Sequence, residues 1–265
     1  MLRNLLLSAG VRYDHYYTFG GTFNPRFGLI YMPRQSMAIK LLYGQAFRAP
    51  NAYELYYQDG VSVQADPSLR PETIHTTELA AEKYFANHVT LRTSAFLNQL
   101  RNLVTQSHDA ANFIRYVTRQ DVTSRGLEFE LNERRPNGWE AGASYTVSES
   151  FDAQSLQPLG NSPKHLAKAR LSIPLFRRAL FASPEAQYVS PRLSVYNTTV
   201  ADHFVANFSL LTSPIWGKFD LRATGYNLLG KRYGDPAGLE FAQSAIPQDG
   251  RVFQIHIEYH AKPKT

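Results

Sequence analysis

The feature that most constrains this chain is an alternation of apolar and polar residues with a period of two. In the last such segment, polar or charged residues separate four apolar side chains: Phe253, Ile255, Ile257 and Tyr259. The same pattern returns in four further segments: 88–95, 126–132, 139–148 and 204–211. Because successive side chains of a strand point to opposite faces, each segment is predicted to be a β-strand with one apolar and one wet face.

Several structural and functional classes are excluded by what the sequence lacks. No run of about 18 apolar residues is present, so no transmembrane helix is predicted. Cysteine is absent, which removes disulfides, thiolate metal sites and cysteine nucleophiles. The formal net charge is +6, but the basic residues are scattered along the chain, so no nucleic-acid partner is predicted.

The connections between the alternating segments favour one architecture. About twelve strands are predicted: 2–15, 23–32, 36–47, 74–85, 88–106, 113–133, 139–150, 164–174, 179–190, 203–213, 218–229 and 249–260. Long links such as 48–73, 151–163 and 230–248 alternate with short ones such as Ala86-Asn87, 134–138, 176–178 and 214–217. Tight turns at one end and free loops at the other are typical of an up-and-down barrel in a bacterial outer membrane.

A soluble sandwich also alternates, but strand length and aromatic placement favour the membrane. Several predicted strands are longer than the five or six residues usual in soluble domains and reach the roughly 9–11 needed to cross a bilayer. Aromatic residues suited to interfacial girdles lie near strand ends: Tyr16, Tyr17, Tyr31, Tyr43, Phe47, Tyr84, Phe85, Trp139, Phe151 and Trp216. We therefore predict an all-β, antiparallel, up-and-down transmembrane β-barrel.

Several motifs carry a resemblance to a known family. Phe47-Arg48-Ala49-Pro50, followed by Glu54-Leu55-Tyr56, resembles the "FRAP … ELY" stretch of TonB-dependent receptors. Residues 66–72 and Glu78-Leu79 resemble the family's "NPxLxPE … E" stretch. Four later segments resemble family strands and the closing hairpin in the family's order: 124–131, 161–165, 226–233 and 246–251. The resemblance covers essentially the whole chain.

The resemblance implies a larger protein than this chain. Such receptors hold an N-terminal plug domain inside a barrel of about 22 strands. Residues 1–265 are then expected to be the C-terminal portion of the barrel domain. Roughly ten strands, the plug and the TonB-contacting segment before it are expected to be missing, as in a gene fragment. The alternative is a small self-closed barrel with a porin-like or adhesin role, because an open sheet would expose unpaired edges to hydrocarbon.

The resemblance also implies transport rather than catalysis. The expected activity is TonB-dependent uptake of a bulky nutrient across the outer membrane, driven by the TonB–ExbB–ExbD system. A ferric siderophore is the first expectation, and cobalamin or haem are alternatives. Residues 51–65 contain no histidine, which disfavours haem. We predict no catalytic residue, no cofactor and no metal site.

Two loops supply candidate ligand-facing residues. The first set lies in or beside loop 48–73: Arg48, Asn51, Tyr53, Glu54, Tyr56, Tyr57 and Gln58. Tyrosine offers a flat face and a hydroxyl, which suit an aromatic ligand, although an interfacial aromatic patch explains the same residues. Arg48 can equally form a loop-stabilising ion pair with Glu54 and Glu72. The second set is Lys231, Arg232 and Tyr233, whose charge suits an anionic complex or simply a solvated loop base.

The last predicted strand carries a further candidate signal. Phe253, Ile255, Ile257 and Tyr259 resemble the signal that barrel-assembly machinery reads, and they also suit a strand facing outer-membrane lipid. Residues 261–265 follow, whereas family members commonly end on an aromatic residue.

An outer-membrane lipase would need a serine and a histidine in reach of each other. Ser144 and His165 lie on potentially neighbouring strands, but no G-x-S-x-G motif marks a nucleophile.

Overall fold

The computed structural model describes residues 4–85, 88–118, 121–212, 215 and 218–261. Some sequence predictions therefore lie outside the described residues. They are the short link Ala86-Asn87, most of the link 214–217, the girdle residue Trp216 and the final residues 262–265.

The described chain consists almost entirely of strands. In the first half they are β1 (Leu5–Tyr16), β2 (Gly20–Arg34), β3 (Met37–Arg48), β4 (Val63–Gln64), β5 (Glu72–Phe85), β6 (Val89–Arg101), β7 (Val104–His108), β8 (Ile114–Thr118) and β9 (Val122–Arg134). In the second half they are β10 (Glu140–Asp152), β11 (His165–Leu175), β12 (Leu180–Val189), β13 (Arg192–Leu193), β14 (Thr199–Val200), β15 (His203–Thr212), β16 (Phe219–Tyr226), β17 (Gly234–Pro236), β18 (Ala245–Pro247) and β19 (Val252–Tyr259).

Two short helical turns interrupt the strands. Helix α1 (Ala52–Tyr56) follows β3, and a 3-10 turn (Phe176–Arg178) joins β11 to β12. Within the described residues, neither these turns nor any other helix has the length and apolarity needed to cross a membrane.

Twelve strands form one antiparallel sheet, as predicted. Their order is β1-β2-β3-β5-β6-β9-β10-β11-β12-β15-β16-β19, so each strand pairs with the next long strand in the sequence. Among the described residues, β1 and β19 pair on one side only and are the two edges of the sheet. The self-closed alternative is therefore not the arrangement of this structure.

The register divides the sheet into two faces. On β9, Leu127, Phe129 and Leu131 lie on one side, and Glu128 and Glu130 on the other. Following the pairs from strand to strand carries this division across all twelve strands, because directly opposite residues share a face. We call these the apolar face and the polar face. Large apolar side chains on the apolar face remain exposed, which is the arrangement expected of a wall that contacts lipid.

The connections have the predicted asymmetry with one exception. Five links on one side of the sheet, which we call the long-loop end, span residues 49–71, 102–121, 153–164, 190–202 and 227–251. The links at the other end, the short-turn end, include Gln35-Ser36 and 135–139. The exception is the β1–β2 link, which lies at the long-loop end and contains only residues 17–19.

Two predicted strands were too long. The predicted strands 88–106 and 113–133 are each divided in the structure, into β6 and β7 and into β8 and β9. Asn102 has a φ of 57°, which a continuous strand does not tolerate, and the chain leaves the large sheet there. Strands β7 and β8 instead form a hairpin above the sheet, and β4 pairs with β8 in parallel.

Candidate functional site

One ion-pair cluster at the long-loop end joins Arg48, Glu54 and Glu72. Arg48 and Glu72 are directly opposite on the polar face, where β3 ends and β5 begins. The Arg48 guanidinium donates to Glu72 through Nε at 2.6 Å and Nη2 at 2.8 Å, and to Glu54 through Nη1 at 2.9 Å. A planar guanidinium with a fork of donors suits this double pairing. The predicted ion pair of Arg48 is therefore present and closes the base of loop 49–71.

Helix α1 begins in a way that ties it to the same cluster. The Asn51 side chain accepts a hydrogen bond from the Glu54 backbone N–H at 2.9 Å, and Glu54 Oε2 accepts one from the Asn51 N–H at 2.9 Å. This reciprocal arrangement is a capping box, which satisfies two otherwise free helix donors. Since Glu54 also binds Arg48, its carboxylate fixes both the helix start and the loop base. The Glu54 carboxylate and the Asn51 side-chain oxygen are thus engaged within the protein.

A tyrosine cluster stands above this base. The rings of Tyr53 and Tyr57 stack with centroids 4.3 Å apart, and Tyr116 meets Tyr53 edge-on at 6.0 Å. The Tyr116 hydroxyl accepts a hydrogen bond from Gln106 at 3.1 Å, across the β7–β8 hairpin. The sequence prediction missed Tyr116 because residues 113–133 were assigned to one long strand. The sequence signal that could have identified Tyr116 was a tyrosine close to turn-forming residues.

The tyrosine cluster is open to solvent and has carboxylates beside it. Tyr53 is 49% exposed. The pKa of its phenol is raised, first by partial desolvation and then by Tyr116, Tyr57, Asp59 and Glu240. Glu240 belongs to the link between β16 and β19. Tyr56 and Gln58 are also exposed.

Asp59 organises the turn that follows the cluster. Its Oδ1 accepts the backbone N–H groups of Val61, Ser62 and Val63 at 2.8–2.9 Å. The Ser62 hydroxyl donates to its Oδ2 at 2.5 Å. These bonds, the Ser62 hydroxyl first, hold the pKa of Asp59 well below its usual value. Gly60, at a φ of 72°, makes the tight turn possible.

The second predicted set divides between surface and loop interior. Lys231 and Arg232 are exposed, but Tyr233 stacks on the buried His203 at 4.1 Å. Buried Asn227 holds this segment, because its Oδ1 accepts the Lys231 N–H at 3.0 Å and its Nδ2 donates to the Lys231 carbonyl at 2.9 Å. Tyr233 therefore packs the loop, while the two cations face solvent.

An ion pair links the two long loops of this region. Arg192 donates to Asp235 at 2.6 Å and to Asn161 at 3.2 Å, and its side chain is only 9% exposed. Ser194 and Ala237 are buried nearby in the chain. The Arg192–Asp235 ion pair thus joins links 190–202 and 227–251.

The remaining candidate residues lie away from these loops. The four side chains of the last strand are on the apolar face and strongly exposed: Phe253, Ile255, Ile257 and Tyr259. Ser144 lies on the polar face and His165 on the apolar face, although β10 and β11 are neighbours. His165 instead bonds Tyr145 at 2.7 Å. These two residues therefore form no nucleophile–base pair.

One group of potential metal ligands was not predicted. Asp220, Glu258 and His260 bring ligand atoms within 4.8 Å of one another at the short-turn end. His260 already bonds Asp220 at 2.9 Å. Residues distant in the sequence meet here only because β16 pairs with β19, so no spacing rule would have found them.

Comparisons with known proteins agree on one kind of protein. A family model described as "TonB dependent receptor-like, beta-barrel" matches residues 2–235. The chain is 22% identical over 277 aligned residues to the iron-regulated outer membrane virulence protein of Vibrio cholerae serotype O1, covering 95% of this chain and 41% of that protein.

Solved structures share the fold. A mutant of the ferric enterobactin receptor of Pseudomonas aeruginosa superimposes with a TM-score of 0.78 at 16% identity, over 98% of this chain and 43% of that one. The FrpB iron transporter from Neisseria meningitidis gives 0.73 at 15% identity, over 97% and 43%. The chain thus spans less than half the length of each of these three proteins.

Proposed function

The chain belongs to the TonB-dependent receptor-like β-barrel family, and from this membership we propose that it forms part of a receptor that takes up a ferric siderophore. It is a bacterial outer-membrane β-barrel protein. The long-loop end then faces the exterior, and the short-turn end faces the periplasm. Residues 1–265 are proposed to be the C-terminal portion of the barrel domain, completed by strands and a plug encoded elsewhere in the protein.

The tyrosine cluster is the observation that carries the choice of ligand. Tyr53, Tyr57 and Tyr116 present flat aromatic surface at the exterior, above a base fixed by Arg48. Aromatic rings favour offset-stacked or edge-on contact with other rings, which matches a catecholate iron complex. The exposed Lys231 and Arg232 add positive charge that attracts an anionic complex. The similar proteins named above include receptors or transporters of iron, which supports the same ligand class.

We also propose partners for the receptor. Energy is proposed to come from TonB–ExbB–ExbD, acting through the plug. Barrel-assembly machinery is proposed to read β19, whose apolar face is exposed. Arg48, Asn51 and Glu54 are assigned to positioning the tyrosine cluster, since their polar groups are already bonded to one another.

Radio-iron uptake by cells that make the complete protein tests this proposal. Tyr53→Ala with Tyr57→Ala is expected to weaken binding of ferric enterobactin about tenfold or more, from the loss of stacking contacts. Tyr17→Ala, an exposed tyrosine at the same end, is the matched control and keeps wild-type binding. Uptake, but not binding, is expected to vanish in cells without TonB. Equal affinity of the double variant and the control would refute the assignment of the tyrosine cluster.

A further inference from the structure

Tyrosine–histidine pairs recur on the apolar face near the exterior. The hydroxyl of Tyr43 lies 3.1 Å from His75 Nδ1, and that of Tyr145 lies 2.7 Å from His165 Nδ1. Both pairs lie on the apolar face, as the register with Leu79 and Phe129 shows. These polar pairs mark where the outer wall stops being purely apolar.

The two histidines lie at the same height on the barrel wall. His75 is ten residues from Phe85, the periplasmic end of β5, and His165 is ten residues from Leu175, the periplasmic end of β11. Ten residues of a strand tilted by about 40° rise roughly 25 Å. The apolar band of an outer-membrane barrel is also about 25 Å tall. Counted from the periplasmic strand ends, the pairs therefore lie near the upper edge of such a band.

A chain of charges lies at this height on the neighbouring strands. Arg125 and Glu149 are directly opposite each other on the apolar face, each nine residues from the periplasmic end of its strand. Glu149 accepts from Arg125 at 3.5 Å and from Lys164 at 2.7 Å. The Arg125 guanidinium also lies 5.5 Å from the centroid of the Phe151 ring. Two cations and one carboxylate leave this sector with a net positive charge.

A cavity of about 420 Å³ opens beside these charges. Its lining combines Arg125, Glu149 and Lys164 with the apolar side chains of Phe151, Leu156 and Leu159. Leu156, in the loop at the exterior, is 69% exposed, so its apolar side chain is available to a ligand in the cavity. A site with an apolar wall and two cations at its edge matches an amphipathic anion.

We propose that this cavity binds the bis-phosphorylated headgroup of an outer-leaflet glycolipid. Within the described residues, Glu149 is the acceptor of both cations, and a guanidinium has five donors and an ammonium three, so donors remain for phosphate. Charge-assisted bonds to phosphate are about twice as strong as neutral ones. One cation on each side of Glu149 matches two phosphates better than one.

The inference rests on family membership and on membrane location, and it is independent of the ligand that the receptor transports. The complete protein, extracted in mild detergent and placed in phosphatidylcholine nanodiscs, can be titrated with bis-phosphorylated lipid A. Native mass spectrometry then reports the bound lipid. The test variant carries Arg125→Gln and Lys164→Gln. The control carries Arg134→Gln and Arg135→Gln, which removes two paired arginines at the periplasmic ends of β9 and its turn.

The test variant is expected to bind lipid A about tenfold more weakly, while the control binds it like wild type. Glu149→Gln is expected to bind it about threefold more tightly, because the competing carboxylate is neutralised. Dephosphorylated lipid A is expected to bind wild type and test variant equally, and phosphatidylglycerol, with its single phosphate, should show a smaller loss than lipid A. Equal lipid A binding by test variant and control would overturn the proposal. So would an equal loss with dephosphorylated lipid A, since acyl-chain contact would then explain the binding.

Discussion

The two loop regions at the exterior are each anchored by an arginine, but the arginines are buried to very different degrees. Arg192 is 9% exposed and bonds groups from links 153–164 and 227–251. Arg48 is 44% exposed and bonds two glutamates at the base of one loop. The first region is therefore stabilised by a buried ion pair, and the second by exposed ion pairs at its base together with the pairing of β4 with β8. A loop fixed at its base can keep aromatic rings at the surface, which is what a ligand-binding loop requires.

The largest expected effect is on the buried arginine. Arg192→Ala should lower the free energy of unfolding by roughly 3 kcal/mol, because several hydrogen bonds and the packing of a buried side chain are lost together. Urea unfolding in detergent micelles, followed by tryptophan fluorescence, measures this change. An equal loss in Arg48→Ala would remove the contrast between the two regions.

A smaller and more local effect is expected at the exposed arginine. Arg48→Ala should lower the free energy of unfolding by only about 1 kcal/mol, since exposed ion pairs are screened by solvent. Protease cleavage within 49–71 should nevertheless become much faster, because the base of the loop is released. Arg48→Lys should give an intermediate rate, since an ammonium keeps the charge but cannot reproduce the forked geometry. Unchanged cleavage in Arg48→Ala would show that the ion pairs do not hold the loop.

The smallest expected effect is on the stability of the Asp59 turn at acidic pH. The pKa of Asp59 is lower in the folded loop than in the unfolded chain, so its ionised form stabilises the turn above the ordinary aspartate pKa of 3.8. This contribution is lost as the pH falls through the lowered pKa. The protection factors of the Val61–Val63 amides, which are corrected for the intrinsic pH dependence of exchange, should therefore fall at acidic pH in wild type, and Asp59→Asn should weaken that dependence. An identical pH profile in the variant would contradict this role.

The fold was largely predictable because each strand can be recognised from the residue pattern within that strand. Period-two alternation in β9 and β19 fixes both the strand and its apolar face without information from the rest of the chain. The division of two long predicted strands was missed because Asn102 changes the backbone direction without changing the residue pattern. Alternation reports side-chain chemistry and is insensitive to one residue with positive φ.

The site was less predictable because it depends on contacts between loops. The Arg48 ion pairs were predicted as one of two alternatives, since Arg48 and Glu54 lie in the first family-like stretch and Glu72 lies in the next one. Tyr116 could not be assigned, because it reaches Tyr53 only through the β7–β8 hairpin. Tyr233 was predicted to face ligand, but its stacking on His203 depends on a partner thirty residues earlier in the chain.

The most direct test of the difference between the two loop regions is hydrogen exchange of the complete receptor with and without ferric enterobactin. We expect new protection in 52–60 and 114–118, around the tyrosine cluster, and none in 192–200, where the buried ion pair already protects the chain. Protection confined to 192–200, or absent from both regions, would contradict the assignment of the tyrosine cluster as the ligand-binding surface.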